Sequence, residues 1–149
     1  MDKIEWCCHQ KRGVKLVECN SVLSESYIRE ADDSLEVCAK IEGKWKIISG
    51  YYACYNGLYS ILMKCGIKSE IHDCTLELMN LFDFLDEEKK FVKELKEKRI
   101  IVQYYLKNAL IEDEEKISSF VAKCKEILYR LNSEDIENIR NKIGRIENE

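Results

Sequence analysis

With 149 residues, 46% of them apolar and 35% charged, the chain is long enough to bury a core of its own. The absence of proline and the presence of only six glycines argue against a turn-rich sheet and for long helices. A net charge of −4 argues against a general basic footprint for nucleic acid, although a local basic groove stays open, and no run approaches the roughly 18 apolar residues of a membrane span.

The first twenty residues form the least regular part, an expected N-terminal arm that covers apolar surface through Trp6, Val14 and Leu16. They lack an apolar signal core, so the chain is expected to be soluble and cytoplasmic, and a disulfide scaffold is not expected. Eight cysteines are then read mainly as small core hydrophobes, with Cys38, Cys54 and Cys124 on apolar helix faces. Cys7, Cys8, His9 and Cys19 have the atoms of a metal set, but no C-x-x-C knuckle is present, and a zinc-binding module ranks last among the functional readings.

A helix is predicted from Ser21 or Ser24 to about Ile41, with Leu23, Tyr27, Ala31, Leu35 and Cys38 as its stripe. The following segment, Lys44–Cys65, has two uncharged faces. One is a ridge of small residues, Gly50, Ala53, Cys54, Gly57 and Ser60; the other carries Tyr51, Tyr52, Tyr55, Leu58, Tyr59, Leu62 and Met63. Such a helix is buried, and Gly66 is its expected stop. Its tyrosines could stack bases, but packing is the preferred reading.

Ser69 is expected to cap a third helix, about Glu70–Leu85, and Asp86 to open a fourth that runs to about Leu110. An acidic connection at Glu112–Glu115 leads to a fifth helix marked by Ile117, Val121, Cys124, Leu128 and Leu131. Ser133 starts a last helix, in which Ile136, Ile139, Ile143 and Ile146 repeat at 3-4-3 spacing and pack on the bundle or a partner. The predicted architecture is a single all-α domain, residues 1–149, built as an antiparallel bundle of about five helices over about 22–131, with a C-terminal helical extension at about 133–147.

The string Tyr51-Tyr52-Ala53-Cys54-Tyr55-Asn56, continuing to Lys64-Cys65-Gly66-Ile67, resembles the second helix of HEPN domains. Tyr27-Ile28-Arg29-Glu30-Ala31, with Leu35 beyond it, resembles the family's first helix. Ile71-His72-Asp73-Cys74 resembles the start of its third, and Leu95-Lys96-Glu97-Lys98-Arg99 its arginine-bearing fourth. The likeness is to small prokaryotic stand-alone members. It implies a homodimer, a toxin–antitoxin setting with a minimal nucleotidyltransferase as partner, and RNA or a nucleotide as ligand, with no membrane and no cofactor. Catalytic members are metal-independent RNA endonucleases, in which an arginine is followed by a histidine. Here Arg99 matches the arginine, but Ile100-Ile101-Val102-Gln103-Tyr104-Tyr105 contains no histidine.

That departure places a nucleotide- or RNA-related binding module first and a ribonuclease with a degenerate Arg…Tyr motif second. The candidate catalytic residues are Arg99, Tyr104, Tyr105 and His72, the only histidine in the matched region; Tyr52 and Asn56 are candidate ligand contacts.

Overall fold

A computed structural model describes residues 2–111 and 113–149. Seven helices lie among them: α1 (Lys3–Cys8), α2 (Ser21–Lys40), α3 (Lys44–Cys65), α4 (His72–Glu77), α5 (Asp86–Tyr104), α6 (Glu115–Arg130) and α7 (Ser133–Glu147). Two short strands, β1 (Lys15–Leu16) and β2 (Ile67–Lys68), pair antiparallel. The chain is an all-α bundle, and none of its described helices is long and apolar enough to cross a membrane.

Helix α3 is the axis of the bundle because it has no face suited to water. Fifteen of its 22 residues are buried, and α2, α5 and α6 all pack on it. The ridge of small residues is used as its composition predicts. Cβ atoms placed on Gly50 and Gly57 would meet Ile117 and the Cys124 sulfur, so α6 lies close over both glycines. Cys38 of α2 borders the same ridge at Gly50, and Ser24 of α2 donates from its hydroxyl to the Ser60 carbonyl at 2.7 Å. Buried apolar side chains from all the helices form one connected core.

Caps sit one residue earlier than the serines suggest. Asn20 accepts from the Leu23 amide and caps α2, while Asn132 accepts from the Asp135 amide and caps α7. Gly66 ends α3 in the left-handed conformation, at φ 69°.

Three expectations need correction. The predicted third helix is replaced by α4 and a 3₁₀ turn at Leu78–Leu81. Ile67 and Lys68 are spent on the strand pair, and Ser69 is held in a buried hydroxyl network, so helix cannot begin before His72. Beyond Leu81 the chain becomes extended at Phe82, and Phe84 reaches Phe120 with ring centroids 5.1 Å apart.

Helix α5 stops at Tyr104, not Leu110. Leu106 takes a left-handed conformation (φ 54°) and lies exposed, because the chain must reverse here to bring α6 back along α3. The acidic connection expected at Glu112–Glu115 includes Glu112, which lies outside the described residues; Glu115 is the first residue of α6.

The expectation against a disulfide also fails. The N-terminal arm holds a helix, α1, that turns back onto α4, and Cys7 and Cys74 are joined across 67 residues. Cys38, Cys54 and Cys124 are buried free thiols, as their apolar faces predict.

Candidate functional site

The tyrosine face of α3 carries the site. Tyr51, Tyr55 and Tyr59 are buried there and α4 lies across them. Each ring places its hydroxyl against a different part of the α4 segment. Tyr59 donates to the Ser69 carbonyl and accepts from the Ser69 amide, at 3.0 and 3.1 Å. The Tyr55 hydroxyl pairs with the Thr75 hydroxyl at 3.1 Å, and Thr75 donates to Ser69. The Tyr51 hydroxyl lies 2.8 Å from His72 Nδ1. Buried hydroxyls without partners are costly, so these pairings fix where a six-residue helix can sit.

His72 is thereby held at the first position of α4, half-buried, with its imidazole stacked on Tyr55 at a centroid distance of 4.3 Å. Burial lowers its pKa from the ordinary histidine value, and the positive charges of Arg99 and Lys96 lower it further; Asp73 opposes them. The imidazole is therefore neutral at pH 7. Burial raises the Tyr51 phenol far above its ordinary value and pushes Tyr55 up to about 12, so neither ring is a base.

Arg99 enters from the opposite side on α5. It shares the buried stripe of Leu95 and Val102, which directs its stem inward, and the whole residue is only 6% exposed. Its guanidinium carbon lies 4.9 Å from the Tyr51 ring centroid, 5.6 Å from Tyr52 and 5.7 Å from Tyr104. Nη1 donates to the Tyr52 hydroxyl at 3.2 Å and to Gln103 Oε1 at 3.3 Å. Nε is buried with no hydrogen-bond partner, and no carboxylate among the described residues forms an ion pair with this guanidinium. Among the described residues its hydrogen-bond partners are neutral oxygens, and three tyrosine rings have their centroids within 5.7 Å of it. The neighbouring Lys96, also buried, differs: it meets Asp73 at 2.7 Å.

Arg99, His72 and Tyr52 are thus brought together around Tyr51, and Tyr104 lies against Arg99. Tyr105 and Asn56 are not part of the cluster. Tyr105 is 68% exposed just past the end of α5, and Asn56 is half-buried on α3 with no side-chain hydrogen bond among the described residues. Sequence reasoning missed Gln103 and the pairing of Tyr51 with His72. Gln103 was legible as the residue one turn beyond Arg99. The Tyr51–His72 pair spans 21 residues and two elements, and no local spacing encodes it.

A groove of about 610 Å³ between α4 and α5 borders this cluster through Asp73 and Lys96. Its five lysines, Lys3, Lys89, Lys90, Lys93 and Lys96, are matched in number by the carboxylates of Asp73, Glu77, Asp86, Glu94 and Glu97, so it offers no net attraction to an anion. Among the described residues no group of three or more His, Cys, Asp or Glu side chains is placed to hold a metal, and the Cys7 sulfur is committed to Cys74. No protein-family model matches the chain, and no curated protein or solved structure is significantly similar to it.

Proposed function

We propose that the chain is a HEPN-like module that binds a phosphate group of a nucleotide or RNA at Arg99, with Tyr52 and Tyr104 flanking the ligand. The observation that carries this reading is the buried, carboxylate-free guanidinium with an unsatisfied Nε. A buried cation without a counter-charge is costly, and a phosphate oxygen supplies both the charge and the acceptor that are lacking. Tyr104, 64% exposed, offers a ring beside the guanidinium on which a base or sugar can rest. In this reading the module works as a homodimer and with a minimal nucleotidyltransferase partner, as the family resemblance implies. The exposed apolar side chains after α5, Leu106 and Leu110, fit a surface covered by another copy.

The second reading, metal-independent RNA cleavage, is favoured by one fact: His72 and Arg99 converge on the same tyrosine. It requires the tautomer in which Nδ1–H donates to Tyr51 and Nε2 keeps its lone pair to take a 2′-hydroxyl proton. When the Tyr51 phenol donates instead, the ring proton is on Nε2 and His72 is no base.

One experiment addresses both. A labelled oligoribonucleotide is incubated with the protein in chelator, and anisotropy and strand length are followed together, with light scattering giving the protein's mass. Arg99→Ala is expected to weaken binding about tenfold or more, the equivalent of one charge-assisted hydrogen bond, while Arg99→Lys keeps part of it. Equal binding by wild type and Arg99→Ala removes Arg99 as the phosphate contact. Cleavage lost in His72→Ala, with binding kept, moves the second reading to first place.

A further inference from the structure

Outside the cluster, the chemistry least accounted for is the Cys7–Cys74 disulfide. It joins α1 to α4 only two residues from His72. We propose that it is a thiol–disulfide latch on the Arg99 cluster: a dithiol reductant that opens it frees α1 and loosens α4, displacing the His72 imidazole from Tyr51 and Tyr55. The regulatory meaning rests on the reading of that cluster as a binding site; the latch itself does not.

The geometry supports it in three ways. First, α1 has six residues, far fewer than a helix needs to stand alone in water, and its only buried side chains are Cys7 and Cys8. Beyond these it has the partly buried Ile4 and its packing on α7, so the bond to Cys74 is its covalent attachment to α4. Second, α4 is equally short, and Cys74 is one of its three buried residues, so losing α1 uncovers the centre of the helix that positions His72. Third, Lys3 of α1 lies close enough to Asp73 to lower its pKa, so release of α1 also alters the charges around His72. Facing that imidazole are Tyr51, Tyr52 and Tyr55 from α3, Lys96 and Arg99 from α5, and its own neighbour Asp73.

Both sulfurs are buried, so reduction follows a local opening of α1. A thiolate of the reductant attacks one sulfur, and its second thiol resolves the mixed disulfide. The products are two protein thiols and one oxidised dithiol, with two electrons and two protons passing to Cys7 and Cys74. Cys8, buried beside Cys7 with its thiol pKa raised by burial, is a poor competitor for the exchange.

The test uses the full chain prepared in air, before and after dithiothreitol. Alkylation under denaturing conditions is expected to count six free thiols before reduction and eight after. Hydrogen exchange in residues 3–8 and 72–77 is expected to accelerate about tenfold or more on reduction, as a local opening does. The His72 ring, followed by NMR, is expected to titrate closer to the ordinary histidine value. Cys7→Ser is expected to behave as the reduced protein and ignore dithiothreitol. Eight thiols in the air-prepared protein overturn the latch, and so does reduction that changes neither exchange nor the His72 titration. Because the wild type alone gives these answers, a poorly folding variant does not obscure them. Oligoribonucleotide binding is measured separately on the oxidised form; its absence defeats the binding reading and leaves the latch to be judged on His72.

Discussion

At the scale of single residues, one histidine is tuned by groups distant from it in sequence. His72 has a folded-state pKa below its unfolded value of about 6.5, because burial and the nearby Arg99 and Lys96 disfavour its charged form. As pH falls from 7 toward the folded pKa, the unfolded chain takes up the proton first, and stability declines through that window. Below the folded pKa the loss is complete. The urea midpoint is accordingly expected to drop between pH 7.5 and 5 in wild type, and to drop less in His72→Asn. An identical slope in the variant would locate the responsible group elsewhere. Arg99 stood out in the sequence through the resemblance of Leu95–Arg99 to an arginine-bearing helix; spacing alone is equally compatible with a snorkelling surface cation. Tyr104 and Tyr105 were equals on sequence grounds; Tyr105 lies outside the cluster because α5 ends before it, where the chain reverses.

At the scale of elements, α3 was the most legible part of the chain, since a helix without a solvated face must be central. What the pattern did not reveal was how α4 would be held. Periodicity describes the apolar stripe of a helix, whereas α4 is placed by hydroxyl pairs from Tyr51, Tyr55 and Tyr59, whose partners lie 10 to 21 residues away. The C-terminus of α3 is equally specific. Gly66 has positive φ, and a Cβ there would press on the Val17 carbonyl and on Arg140 Nη1. Gly66→Ala is expected to cost about 1–2 kcal/mol from the left-handed backbone alone, and more through the blocked carbonyl. Chemical denaturation measures this; an unchanged midpoint would mean that the turn can re-form without β1.

At the scale of the whole molecule, the strand pair and the two ends of the chain meet at one side chain. Arg140 of α7 donates from Nη1 to the carbonyls of Val17, Cys65 and Gly66, at 2.8, 3.0 and 2.9 Å. One cation therefore satisfies the open end of α3 and the exit of β1 together. Hydrogen bonds to a charged group contribute about 1.5–3 kcal/mol, and Arg140→Ala is expected to lose an amount in that range in a denaturation midpoint, with faster hydrogen exchange at Val17. Val17 donates its amide to the Gly66 carbonyl at 2.8 Å, so that exchange rate reports directly on the junction. The isoleucine repeat of α7 announced its packing in the sequence. Its arginine looked like surface charge, because nothing local marks the three carbonyls that it reaches.

The same side chain also sets an order in time. On a ribosome the arm of residues 15–17 and the end of α3 emerge long before residue 140, and until then these carbonyls lack their charged donor. The central helices can assemble as they appear, but the arm stays unsealed until the last helix arrives. The arm, made before the central helices, is locked in place only after them.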